Sequence, residues 1–218
     1  MKIKLLFLIK MGVLVNIILI SLVSFSLAGN NNYSFTTKNS LISSPVREFE
    51  TGDTTPIRIS GNDDFRSQAE ANGWAGDGSL ENPYIIEGYT IEVQETHAIS
   101  ISDTNLSFIV RDNKISGIVA YFSAIHLYNV VNGIIENNQI ENCVDTGIEL
   151  ENTNNTIIRS NTVQFGMSIA GAAAIKLMNS HYNEVVGNTI LDFKYNGISV
   201  YHSQINWIEG NRIEITKP

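Results

Sequence analysis

Two marks recur on one beat along most of this chain, and that beat constrains its fold more than any other feature. The first is an asparagine with an aliphatic two positions on: Asn113/Ile115, Asn138/Ile140, Asn161/Val163, Asn188/Ile190 and Asn211/Ile213, with Tyr89/Ile91 one step earlier. The spacings are 24, 25, 23, 27 and 23 residues. Another aliphatic stands three residues before each mark, from Ile86 and Val110 through Ile135, Ile158 and Val185 to Ile208. The second mark reads small-apolar-polar-apolar: "AISI" at Ala98, "AIHL" at Ala124, "GIEL" at Gly147, "AIKL" at Ala174 and "GISV" at Gly197. Two registers sharing a period of this length are the signature of a solenoid.

Within each repeat the apolar residues alternate at period two, are rich in Ile and Val, and form runs too short for helices. A leucine-rich repeat would need Leu at fixed places and a helical segment, and neither is present. Three short strands per turn give a coil that advances one strand spacing, about 4.8 Å, per repeat. The expected fold is therefore all-β: a single-stranded right-handed parallel β-helix of about six coils, with its hand following the rule for parallel crossovers.

The asparagines can be placed on this coil. In "GIELENTNNTIIRSNTV", Ile148, Leu150 and Asn152 share strand parity, so Asn152 is expected to point inward. Its stack-mates are Asp103, Asn129, Asn179 and His202. Asn113, Asn138, Asn161, Asn188 and Asn211 form a second column. An inward amide carries a donor and an acceptor, so it can satisfy turn backbone and its neighbour in the next coil. Both columns are read as structural ladders rather than ligand sites, because buried polar groups are normally satisfied ones.

The ends differ from the middle. Lys2, Lys4 and Lys10 precede an apolar stretch ending in Ser26-Leu27-Ala28, so residues 1–28 read as an export signal, or as a membrane anchor if retained. Residues 29–54 are polar and aperiodic and read as a disordered linker. Residues 55–83 read as a cap: a strand "PIRIS", a short helix with Phe65 and Ala69 on one face, a stop at Gly73 and a Gly/Pro-rich loop. Residues 84–218 are the coils. No cap follows "NRIEITKP", so Ile213 and Ile215 are expected on an open edge that could meet another protein.

Charge and sulfur narrow the partners. Removing three lysines and no acids with the signal takes the balance from 14 basic and 22 acidic residues to 11 and 22, a net charge of −11. Such a surface excludes nucleic acid, which needs clustered Lys and Arg. The lone Cys143 closes no internal disulfide and reads as a buried thiol or an intermolecular link. Three Asn-X-Ser/Thr triplets, at Asn32, Asn105 and Asn154, are weak signals in so Asn-rich a chain.

Function is then sought on outward columns. Arg111, Glu136, Arg159, Val186 and Glu209 form one, with alternating sign at its start. His126, Glu149, Lys176 and Ser199 form another, and Tyr128, Glu151, Met178 and Tyr201 a third one pleat along. Aromatics beside carboxylates on a flat sheet suit sugar rings, which makes His126, Tyr128, Glu149, Glu151, Lys176 and Tyr201 the candidate ligand-binding face. Two long apolar loops, "SGIVAYFS" and "QFGMSIAGAA", flank the short loop holding Cys143 and Asp145.

The run "GDGSLENPYIIEGYTIE" followed by "IxxNxI…GIxL" coils resembles the exported β-helix repeat proteins of the NosD group, within the pectin-lyase-like superfamily, from about residue 56 to the C-terminus. That resemblance implies carbohydrate binding or processing outside the cytoplasm, in a superfamily of lyases, hydrolases, uronan epimerases and non-catalytic members. The Asn-Thr-Asp, Asp-Asp, Gly-His-Gly and Arg-Ile-Lys set of its galacturonan hydrolases is missing from the coils, where Asp63-Asp64 falls in the cap helix instead. The NosD group is also described as copper-processing, yet Met178, His181 and His202 offer no His pair at ligand spacing. The reading is an exported, non-catalytic glycan- or partner-binding protein, with no cofactor and no metal. A polysaccharide-processing enzyme and a purely structural module are the alternatives.

Overall fold

The computed structural model describes residues 55–119, 121–165 and 170–215. The expected signal and linker lie outside the described residues. The first turn comprises β1 (Ile57–Ser60), α1 (Gly61–Asn72), β2 (Tyr84–Glu87) and β3 (Thr90–Glu92). Turn two is β4 (Ile99–Thr104), β5 (Phe108–Arg111) and β6 (Lys114–Ser116); turn three is β7 (Ser123–Val130), β8 (Gly133–Glu136) and β9 (Gln139–Cys143). Turn four is β10 (Thr146–Glu151), β11 (Ile157–Arg159) and β12 (Thr162–Phe165), and turn five is β13 (Ala173–Met178), β14 (Glu184–Val186) and β15 (Thr189–Leu191). The last described turn is β16 (Asn196–Tyr201), β17 (Trp207–Glu209) and β18 (Arg212–Glu214).

Equivalent strands stack into three parallel six-stranded sheets: sheet A is β1-β4-β7-β10-β13-β16, sheet B is β2-β5-β8-β11-β14-β17 and sheet C is β3-β6-β9-β12-β15-β18. The described residues thus form a parallel β-solenoid of five turns preceded by a cap turn. Both sequence registers hold, since Ile148 pairs with Ile125 and Ile175 in sheet A while Val163 pairs with Ile140 and Ile190 in sheet C. Columns of Ile, Val and Leu fill the interior with no exposure at Ile86, Ile91, Val110, Ile135, Ile158 and Val185. Each such side chain contributes roughly 1.5–3 kcal/mol by leaving water.

The small residue that begins each "GIEL" has a steric cause. A Cβ on Gly147 would lie 2.6 Å from both the Ala174 carbonyl oxygen and Val163 Cγ1, and one on Gly197 would lie 2.7 Å from Ile213 Cδ1. Even an alanine would clash at these two positions, so they take glycine, while Ala98, Ala124 and Ala174 fill the same place in the other coils.

Cap helix α1 closes the N-terminal end. Asp64 Oδ2, in the first helical turn, accepts the Ser60 N–H at 2.8 Å, and Gly73 ends the helix at φ 67° with Trp74 N–H donating to Ala69 O at 2.9 Å. Phe65 and Ala69 are its buried face, as the periodicity requires. Phe65 stacks on Tyr84 at 5.0 Å and meets Phe108 at 5.6 Å. At the other end, Val200, Ile208 and Ile213 on the last described turn are exposed, and Ile215 beyond them is too, while Ile198 packs against the core.

The Asn161 column is the ladder that was expected. Asn138 shows its rule: Nδ2 donates to Val110 O at 2.9 Å and to Asn161 Oδ1 at 3.0 Å, while Oδ1 accepts the backbone N–H of Asn113 at 3.1 Å and its Nδ2 at 3.0 Å. Both donors and both acceptor positions are used. The same pattern runs through Asn161 and Asn188 to Asn211.

The Asn152 column differs from its expectation. Asn129, Asn152 and Asn179 are exposed, not inward, and so are Asp103 and His202. All five hold left-handed backbone, with φ of 54° at Asp103, 51° at Asn129, 50° at Asn152 and 48° at Asn179 and His202. A left-handed residue breaks strand parity, so the residue after it takes the inward place. Thr153 and Ser180 occupy that place, and Thr153 N–H donates to Ser180 Oγ at 3.1 Å. Asn and Asp tolerate left-handed backbone better than other non-glycine residues, which explains the column without any inward bond. His202 stands there as an exposed member, not as an inward substitute for Asn.

A further amide column was not foreseen. Asn183 Oδ1 accepts Thr156 N–H at 2.9 Å, and its Nδ2 donates to Thr153 O at 2.9 Å and to Asn206 Oδ1 at 3.1 Å. It follows the same rule, since the left-handed Tyr182 and Ile205 precede Asn183 and Asn206.

Candidate functional site

Sheet A presents two outward columns with the pairing expected from sequence. One runs Arg58, Ser100, His126, Glu149, Lys176, Ser199; the next runs Ser60, Ser102, Tyr128, Glu151, Met178, Tyr201. All six candidate face residues therefore lie on one surface. They divide into a recessed polar cluster, made by the first column, and a more open rim, made by the second.

The cluster centres on Glu149, whose side chain is 14% exposed. Lys176 Nζ lies 2.9 Å from Oε1, and Ser123 Oγ donates to Oε2 at 2.6 Å. Burial alone would raise the Glu149 pKa, but the hydrogen bonds from Ser123 and Lys176 outweigh it and hold the carboxyl below its ordinary value. It stays ionised at neutral pH.

His126 lies beside Glu149, and the structure adds a residue that the repeat did not single out. His97, in the turn before β4, stacks on His126 with ring centroids 4.4 Å apart and planes 17° from parallel. Phe122 meets His97 edge-on at 5.5 Å. His97 Nδ1 accepts the Ser123 N–H at 2.9 Å, so Ser123 ties one imidazole to the carboxylate. Burial, with His126 as its neighbour, lowers the His97 pKa, and burial, aided by Lys176, lowers that of His126. Both rings are neutral at pH 7. His126 Nε2 and Glu151 Oε2 are 3.9 Å apart, too far for a hydrogen bond.

On the rim, Tyr128 is 39% and Tyr201 57% exposed, with Glu151 and Met178 between them in the same column. Three strand steps put their backbones about 14 Å apart. Of the two long loops, the first rests on the short one: Val144 N–H donates to Ile118 O, and Tyr121 N–H to Asp145 Oδ2, each at 2.9 Å. The second contains residues 166–169, outside the described set. Cys143 is fully buried beneath this turn and burial pushes its thiol up to about 12, so the buried-thiol expectation holds.

A family model described as "Periplasmic copper-binding protein (NosD)" matches residues 55–217, and no curated protein matches the chain. The periplasmic description agrees with an exported setting. Copper is tested by the donors present. Among the described residues no three His, Cys, Asp or Glu side chains gather closely enough to hold a metal ion. His97 Nδ1 already accepts a hydrogen bond, and the near-parallel rings of His97 and His126 do not converge on one point about 2 Å from both. Glu149 is committed to Lys176 and Ser123. His181 Nδ1 accepts the Gln204 N–H at 3.0 Å, and the His202 ring lies against Tyr201. The described residues do not fit a copper centre.

Proposed function

The chain belongs to the NosD family, and we propose that this member binds a glycan on the outer face of sheet A and does not turn it over. One observation carries the reading: Tyr128 and Tyr201 are exposed in one outward column, with the Glu151 carboxylate in register between them. Flat aromatic rings take the apolar faces of sugars, and a carboxylate accepts from their hydroxyls. The rigid sheet holds these groups at fixed spacing, which limits the ordering that binding must impose.

Charge favours a neutral glycan over a polyuronate. The chain carries a formal net charge of −8, and Lys176 is already neutralised by Glu149. Among the described residues the rim column holds Glu151 and no Lys or Arg, so a polyanion would meet a carboxylate there.

The non-catalytic half rests on Glu149. Glu149 is kept ionised, which rules out a general-acid role, and the two oxygens that a base or nucleophile would use are already held by Lys176 and Ser123. Catalysis would appear as new reducing ends or unsaturated uronate absorbance that Glu149→Gln abolishes.

Retention on immobilised neutral and acidic polysaccharides tests binding. The parent protein should be retained on a neutral glycan, and Tyr128→Ala and Tyr201→Ala should each weaken retention about tenfold, the loss of one stacking contact of about 1.4 kcal/mol. Their melting temperatures should match the parent. Failure of the parent to bind any glycan sinks the proposal.

A further inference from the structure

The outer face of sheet B carries a pattern independent of the sheet A face. Ile85, Ile109, Ile134 and Ile157 stand in cross-strand register on β2, β5, β8 and β11. They alternate with the fully buried core residues Ile86, Val110, Ile135 and Ile158, so they point away from the core, and each is only partly covered. A solvated strand face ordinarily alternates apolar-in with polar-out. Here four consecutive coils place isoleucine on the outside.

Beside that stripe runs a second outward column in the same four strands: Glu87, Arg111, Glu136, Arg159. Arg111 Nε is 2.7 Å from Glu87 Oε2, and Arg159 is paired with Glu136 at 2.6 Å. The order of sign is minus, plus, minus, plus.

We propose that this face binds a second copy of the chain, packed sheet on sheet about a two-fold axis that lies along the strands midway between β5 and β8. Such an axis reverses the order of coils while keeping each column opposite itself. Ile85 then faces the second copy's Ile157, and Ile109 faces its Ile134, which buries the stripe on both sides. Glu87 faces Arg159 and Arg111 faces Glu136, with the mirror pairs completed from the other chain. Every facing charge is opposite. An axis shifted onto β8 would instead set Glu136 on Glu136 and Arg111 on Arg159, and one midway between β8 and β11 would set Glu87 on Glu209, so only the axis between β5 and β8 pairs all four charges. The face is small, which makes the dimer a weak one, seen at high concentration.

Sedimentation equilibrium of the full chain over a wide concentration range tests this. The parent should reach dimer at the top of the range. Ile134→Glu lies outside the core and should raise the dissociation constant at least about tenfold with melting little changed. Arg111→Glu sets like charges opposite Glu136, and Glu136→Arg sets them opposite Arg111, so each alone should stay monomeric. Mixed in equal amounts, the two variants restore opposite charges at both central positions and should form a dimer containing one of each. A parent that stays monomeric throughout overturns the proposal. So does an Ile134→Glu chain that dimerises as the parent does, or a folded pair of charge variants that fail to associate when mixed.

Discussion

Asn161 accepts two hydrogen bonds on its Oδ1 from Asn138, one from the backbone N–H and one from Nδ2, both at 3.0 Å. Truncating it to Ala orphans those two donors in a closed interior, along with the Ile135 carbonyl that its own Nδ2 reaches at 2.9 Å. Each buried unsatisfied group costs about 1–3 kcal/mol, so Asn161→Ala should lose at least about 3 kcal/mol in urea unfolding. Asn152→Gly should change stability by less than about 1 kcal/mol, because that side chain is exposed and glycine accepts its backbone angle freely. Equal losses at the two positions would contradict the division into a ladder and a left-handed turn.

The same two residues mark how far the sequence is legible. The columns of Ile148 and Val163 could be read directly, because a solenoid repeats its registers and side-chain alternation sets which face is buried. Asn161 is legible because its partners recur at the same step. Parity puts Asn152 in the right column and on the wrong side. Period-two parity assumes that the strand continues, and a φ of 50° at Asn152 interrupts it. The clue was the residue that follows, a hydroxyl in Thr104, Thr153, Ser180 and Ser203. His97 left no trace in the repeat, because it sits in a turn whose length varies and reaches His126 only through the path of that turn.

Acid should weaken the fold in two stages. His97 and His126 are held below the ordinary histidine value, so between about pH 6.5 and their lower folded values the unfolded chain binds more protons. Stability is therefore full above about pH 6.5 and falls as the pH drops through that window. Glu149 is also lowered, which places a second loss below the ordinary glutamate value of about 4.3. Melting temperatures from pH 8 to 3 should show both stages, and His126→Gln should flatten the upper one. A melting temperature that rises between pH 7 and 5 would reverse the sign and refute the assignment.

Cys143 should be chemically silent until the chain opens. Full burial keeps reagents out, and a thiol pushed up to about 12 is almost entirely protonated at neutral pH, whereas the thiolate is the nucleophile. Labelling with an aromatic disulfide at pH 8 should proceed at the rate of unfolding and jump to one thiol per chain in denaturant. Rapid labelling under native conditions would place the sulfur nearer the surface than its position beneath the turn allows.

Copper supplies the sharpest contrast with the family's description. A ligand that binds only the folded chain raises stability by about 2.7 kcal/mol when present at a hundred times its dissociation constant. For a domain of this size that is a shift of several degrees. Three of the described donors are separately committed, His97 on the Ser123 N–H, Glu149 on Lys176 and His181 on the Gln204 N–H, and no three His, Cys, Asp or Glu side chains among the described residues gather around one point. Copper(II) at one to ten equivalents should therefore leave the melting temperature within about 1 °C of that in a chelator, a stability change of only a few tenths of a kcal/mol. A rise of several degrees that disappears in His97→Gln or His126→Gln would show that the stacked pair opens to admit the metal. The same rise retained in both variants would direct the search to donors outside the described residues.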